Sequence, residues 1–468
     1  MLTDFLLLMK QELLLVAIIF ILVFIKLGSK ERSNESLLNA INILLLINLI
    51  AGIFNSQTGT LFGDMFNTNQ LFIFEKNILN FGVLIISLQS YDWLKKHKHL
   101  IEFYLLLLSA LLGMFLMLSS NNLLMFYLAL ELSTIPIAAL CNFDLEKRKS
   151  SEAAFKMIIS SAFSSGLLLL GISFFYGTTG TLNFAEIPAT LNGNALQIFS
   201  FVLLIAGFGF KISAVPFHLW TADVYEGSPI SVTSFLSVIS KGAVVFVLVS
   251  VLYKVFEPLS EYWYTILFLL SLLTMIIGNL FALRQQNMKR FLAFSSIAQV
   301  GFILIGISGQ SLEGTASVVF FILIYILSNL AAFGVINLVS SKCDKESIGD
   351  YKGFYKSNPQ LTWVLTIALF SLAGIPPTAG FFGKFFLLMA GAAKNNYLLI
   401  TVAALNMVIA LYYYLRVIKA MFMDANENPI EKIKIPFQPK LAMIICVAGI
   451  IILGIYSNCY QYIFSLIK

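Results

Sequence analysis

Apolar runs of about 20 residues, each long enough to cross a bilayer, recur from one end of this chain to the other. In hydrocarbon every backbone N–H and C=O must find its partner inside the protein, so a chain patterned this way folds as packed helices. Of its 468 residues, 12% are charged, against about 25% in soluble domains. The runs number about fourteen. The first three centre near Ile19, Leu46 and Leu79, the twelfth near Gly374 and the last near Leu453. The expected fold is therefore an all-α polytopic membrane protein with about 14 transmembrane helices. Short loops join most runs, as antiparallel neighbours require. The first run, Leu13 to Ile25, is followed by Lys26 and has no small-residue cleavage site. It reads as a retained helix, not as a secretory leader.

The loop charges alternate in sign of excess. Turns after odd-numbered runs hold about 20 Lys and Arg, from Lys26, Lys30 and Arg32 to Lys432, Lys434 and Lys440, whereas the opposite turns hold 5: Lys10, Lys76, Lys254, Lys394 and Lys468. By the positive-inside rule both termini lie on the outer side. The same asymmetry accounts for the formal charge of +6, so the partner that composition requires is a lipid bilayer and not a nucleic acid. The turn 219–228 falls on the basic side, yet it carries Asp223 and Glu226 and no Lys or Arg. It is expected to pack in protein or to line a polar entrance. Four Cys and three His stand at no metal-ligand spacing, so the chain itself is expected to hold no haem, iron–sulfur cluster or zinc.

Charges inside the runs carry the functional signal, because each costs about 2.5–3.5 kcal/mol at a helix centre. Lys211 ends the run in GFGFKISAVPFHLW. Pro216 has no N–H for the carbonyl of Ile212, so a break is expected just past the lysine, with free carbonyls beside the ammonium. Glu131 sits in LLMFYLALELSTIPIAAL, either as a proton-linked group or as half of a structural ion pair. Lys241, in FLSVISKGAVVFVLV, has no acidic residue within a turn. Burial disfavours the charged form of an amine, so such a group can load and unload a proton near neutral pH; the bland alternative is snorkelling to the interface. Lys384 lies in LFSLAGIPPTAGFFGKFFLL, where Pro376 and Pro377 release the carbonyls of Leu372 and Ala373.

Two breaks about five runs apart point to two five-helix repeats. The expected organisation is a three-helix segment at 1–98, a repeat forming one proton half-channel at 99–255, a second at 256–425, and a last helix at 426–468. Lys156 follows Glu152 at the favoured i, i+4 spacing and reads as an interfacial pair or a further proton group. Arg416, after Tyr412, Tyr413 and Tyr414, reads as an interfacial anchor or a relay. His218 lies past the break, in a capping role or a proton role.

The segment FKISAVPFHLWTADVYEGSPISVTSFLSVISK, with KRFLAFSSIAQVGF, IGDYKGF and AGIPPTAGFFGKF, resembles subunit N of the bacterial NADH-quinone oxidoreductases, the proton-pumping respiratory complex I. The likeness covers runs four to fourteen well and the first three poorly. DVYEGSP is closer to subunit N than to its paralogues or to Mrp-type antiporter subunits. The resemblance implies two inverted five-helix repeats with two broken helices, and a place in the bacterial inner membrane with both termini periplasmic. It places the family's proton-translocating residues on Glu131, Lys211, Lys241 and Lys384, and its sixth-helix lysine on Lys156. Gln299 departs from it, because the family often has His there, and Gln cannot take up a proton near neutral pH.

The implied function is that of a proton-translocating subunit of NADH:quinone oxidoreductase. NAD, FMN, iron–sulfur clusters and quinone are then expected in partner subunits, and the neighbours are other membrane-arm subunits, including antiporter-like paralogues. At about 5 Å and an effective dielectric near 20, Glu131 and Lys211 would attract by roughly 3 kcal/mol. Moving one charge against about 150 mV takes roughly 3.5 kcal/mol, so one such switch is of the right size. The rival is a stand-alone or Mrp-type cation/proton antiporter subunit. A sodium site would need clustered intramembrane carboxylates, which the sequence does not offer.

Overall fold

A computed structural model of the chain describes residues 2–28, 33–456 and 458–468. Lys30 and Arg32, two of the basic-side loop charges, lie outside the described residues. Among those described, 12 helices are long and apolar enough to cross a membrane. The helix Lys10–Leu27 and the broken pair Pro359–Ala373 and Ala379–Ala392 complete the fourteen expected runs. The chain is a multi-pass helical membrane protein.

Polar caps start several of these helices. Asn122, Asn287 and Ser311 each accept from a backbone N–H in the first turn, at Leu124, at Lys289 and Arg290, and at Gly314. Such caps satisfy donors that the helix cannot pair internally. One element was not expected: an antiparallel hairpin, Gly59–Leu61 with Phe66–Thr68, joins the second and third helices. Phe62, Gly63 and Asp64 all take positive φ in its turn. The strands are three residues each, too short for a period-2 pattern to stand out.

The order of elements repeats. Leu100–Leu118, Leu123–Cys141, Arg148–Thr179, the pair Ala195–Ile212 and Leu219–Gly227, and Ile230–Lys254 form one series. Glu257–Arg284, Met288–Ser308, Leu312–Cys343, the pair Pro359–Ala373 and Ala379–Ala392, and Tyr397–Phe422 form the other. The third helix of each series has 32 residues and stops at a left-handed residue, Gly180 or Asp344. The fourth is broken in both. Five crossings are an odd number, so the second series starts from the opposite face and is inverted.

Packing divides the chain into two compact units, one of Met1–Leu84, Leu94–Ile212 and Ile239–Thr265, the other of Ile85–Trp93, Ser213–Val238 and Ile266–Lys468. In the first, Leu100–Leu118 packs on Leu123–Cys141, Arg148–Thr179 on Ala195–Ile212, and Lys241–Lys254 on both Leu100–Leu118 and Ala195–Ile212. In the second, Met288–Ser308 and Leu312–Cys343 form the core, buried almost throughout, with Ala379–Ala392 against both. Phe24, Ile135, Phe163 and Val408 point outward while Lys211, Lys241 and Lys384 are buried. That is the arrangement expected where the solvent is hydrocarbon.

The half-helices of the second unit approach closely. A Cβ on Gly380 would strike the carbonyl oxygen of Ser371, which is backbone and cannot turn aside. Gly380→Ala is expected to destabilise this crossing by about 1–3 kcal/mol. Thermal unfolding of the purified protein checks this, and an unchanged transition would mean that the half-helices separate freely.

Candidate functional site

In the first unit, three of the expected groups lie on helices that pack together. The helix Leu123–Cys141 carries Glu131 and runs on through Pro136. One turn after Glu131, the Thr134 hydroxyl accepts from Lys211 Nζ at 2.6 Å and donates to Leu130 O at 2.7 Å. Sequence reasoning passed over Thr134; its i, i+3 spacing from Glu131 was the available signal. Glu131 is half-buried and acts on Lys211 electrostatically. Its Oε1 has no hydrogen-bond partner, and among the described residues no ion pair joins the two side chains. A hydroxyl thus holds the ammonium while the carboxylate stands off.

Lys211 is the penultimate residue of Ala195–Ile212 and is 8% exposed. The helix stops one residue later, and Ser213 takes φ +63. The break falls where Pro216 was expected to put it. The expectation of carbonyls beside the ammonium differs here: Lys211 reaches across to Thr134, because its side chain leaves the helix before the break begins.

Lys241 is 3% exposed and directly follows a π turn, Phe235–Ser240. A π turn widens the helix by one residue per turn and re-aims the side chains beyond it, often at functional sites. Nothing in FLSVIS marks it in the sequence.

In the second unit the carbonyls do meet the ammonium. Gly374, at φ +87, ends Pro359–Ala373, and the chain resumes at Ala379. Lys384 Nζ donates to Leu372 O at 2.7 Å and to Ala373 O at 3.3 Å. These are the two carbonyls that Pro376 and Pro377 release. Lys384 also lies 4.9 Å from the ring centroid of Phe302, within cation–π range. Gln299 Nε2 donates to Leu372 O at 3.0 Å and towards the Tyr414 hydroxyl at 3.3 Å, and Tyr414 shares a hydrogen bond with Ser295. Where a His would relay a proton, this chain holds a fixed amide beside a tyrosine–serine pair.

A family model described as "NADH:quinone oxidoreductase/Mrp antiporter, TM" matches residues 120–410. A protein of Phocaeicola vulgatus named NADH-quinone oxidoreductase subunit N is 46% identical, covering 97% of each chain. The chain belongs to the subunit N family. Another member, from Azobacteroides pseudotrichonymphae genomovar. CFP2, is 44% identical over 97% of this chain and 96% of its own length. Among solved structures, a chain of respiratory complex I from Thermus thermophilus with bound aureothin superposes with a TM-score of 0.81 at 27% identity, covering 96% of this chain and 97% of that one. A chain of the Mrp complex from Dietzia sp. DQ12-45-1b gives 0.88 at 18% identity, covering 100% and 97%, a likeness of fold alone.

In this subunit N family member, Glu131, Lys211, Lys241 and Lys384 all fall inside the matched segment. The secondary candidates take quieter places. Lys156 pairs with Glu152 at 2.7 Å, the two side chains 39% and 60% exposed, which fits the interfacial pair. Arg416 donates to the carbonyls of Leu283 and Gln285 at 2.6 and 2.9 Å, closing the end of Ser260–Arg284 as a cap. His218 precedes Leu219–Gly227, is 7% exposed, and its Nδ1 has no hydrogen-bond partner.

The acidic turn at 219–228 is packed in protein. Arg290 donates to Asp223 at 2.6 Å and Glu226 at 2.9 Å, which explains how a turn on the basic side does without Lys or Arg of its own. Lys76, counted above as a loop charge, is not one. It is 1% exposed inside Gln70–Gln89 and pairs with Glu12 at 2.5 Å. Counting loop charges treats every Lys beyond an apolar run as solvated, and this helix begins before its apolar run does.

Proposed function

We propose that this chain translocates protons as a membrane subunit of an NADH:quinone oxidoreductase. The observation that carries the reading is the seating of three buried lysines at helix irregularities. Lys211 precedes a break, Lys241 follows a π turn, and Lys384 caps the carbonyls of a second break. A buried amine held by neutral groups can change protonation without losing a fixed ion pair. Glu131 supplies the switch. With Lys211 on Thr134 the electrostatic hold of the carboxylate is partial. Closing the pair strengthens that hold, and opening it lets Lys211 pass its proton towards Lys241. In the second series, Lys384 bonds two carbonyls and can release a proton through Tyr414 and Ser295 while Gln299 keeps the geometry.

The driving energy comes from quinone reduction. NAD, FMN, iron–sulfur clusters and quinone sit in partner subunits, and other membrane-arm subunits flank this one. The excess of Lys and Arg in one set of loops supports a bacterial inner-membrane protein with those loops cytoplasmic and both termini periplasmic.

Purification through an affinity tag on this chain tests the assignment. On a native gel the chain is expected to run as part of a large complex that reduces ferricyanide with NADH. Migration as a separate transporter without that activity would return the reading to a stand-alone antiporter.

A further inference from the structure

The first three helices contribute a second set of buried charges, outside the segment that the family model matches. Glu12, on Lys10–Leu27, and Lys76, on Gln70–Gln89, are 2% and 1% exposed and form an ion pair that Lys76 extends to the Ser119 hydroxyl at 2.6 Å. That pair is closed and fixed. Its neighbour Glu75 differs. It is 3% exposed, and its Oε2 has no hydrogen-bond partner. The cations that act on it are Lys254 and Lys76, and Lys76 is already engaged by Glu12. Lys254 is the last residue of Lys241–Lys254, is exposed, and lies 5.1 Å from the ring centroid of Phe72, one turn before Glu75. Glu12 and Glu75 lie near the starts of their helices, and Ser119 and Lys254 at the ends of theirs. All four therefore gather on the face opposite Lys26, Lys95 and Lys147.

The geometry points to Glu75 as a proton-exchanging carboxyl on that face, governed by the approach and withdrawal of Lys254. When the ammonium comes in, Glu75 gives its proton to water at the rim; when it swings out, Glu75 takes one back. No bond other than O–H is made or broken, and Lys254 stays charged throughout. The site repeats, with a surface lysine, the carboxylate–lysine logic of Glu131 and Lys211. Its lysine, Lys254, lies on the helix that begins at Lys241, 13 residues further on, about 20 Å along the axis. This places a proton-release group between the central lysine and the opposite face, and it rests on the proton-translocation reading above.

Infrared difference spectra of the assembled complex, recorded across the neutral pH range, test it. The parent complex is expected to show a titrating carboxylic-acid C=O band that Glu75→Gln removes, and Lys254→Ala is expected to move the midpoint of that band by about a pH unit or more. Proteoliposomes of Glu75→Gln should take up fewer protons per quinone reduced. If Glu75→Gln does not assemble, Lys254→Ala at the exposed helix end carries the test alone, and an unmoved band then overturns the inference. An unchanged spectrum in Glu75→Gln, or full proton uptake, overturns it too. Either result leaves the role of Lys241 to its own variant, so the two readings fail separately.

Discussion

Lys241→Ala in the assembled complex is expected to lower proton transfer through this subunit on the order of 100-fold or more, the usual worth of a positioned proton carrier. Quinone-linked turnover should fall with it, because a tightly coupled machine slows when one path is blocked. NADH oxidation by ferricyanide should persist, since the intramembrane lysines take no part in electron transfer. The physical basis is the seat of the side chain: 3% exposed, between Ser240 and Gly242, immediately after a π turn. Alanine keeps the helix and deletes the amine. Lys241→Arg should not rescue transport, because a guanidinium stays protonated at any working pH. Proton uptake into proteoliposomes, quinone turnover and ferricyanide reduction are compared, with assembly checked on a native gel. Full pumping by an assembled Lys241→Ala complex would make this lysine structural and end the proposed mechanism.

The second large effect is on stability. Lys76→Ala strands the Glu12 carboxylate, 2% exposed, without the ammonium 2.5 Å away. Breaking a buried pair from one side typically costs about 3–5 kcal/mol, because the remaining charge stays desolvated. Ser119 also loses its donor. The double variant Glu12→Gln with Lys76→Met removes both charges and should recover much of that loss. Thermal unfolding of the purified complex separates the cases. A double variant as damaged as the single one would show that packing, not the stranded charge, sets the cost.

Much of this architecture was legible in the chain alone, for a plain reason. In hydrocarbon, backbone pairing admits few solutions, so the lengths of apolar runs determined the helices. The missing N–H groups of Pro376 and Pro377 determined which carbonyls stand open, and Lys384 binds those two. The lysine before Pro216 lies at a break for the same reason.

Tertiary structure decided what those local rules do not reach. Thr134 rather than a freed carbonyl holds Lys211, because the choice depends on which helix packs alongside. The π turn before Lys241 arises with no residue in FLSVIS that requires it. Arg290 pairs with both carboxylates of a turn more than sixty residues away in the chain. Lys76, which counting placed in a loop, is buried because Glu12 on another helix meets it. Hydrophobic length and backbone hydrogen bonding are local and can be read along the chain. The partner of a buried charge is not, because it comes from a helix that only folding brings near.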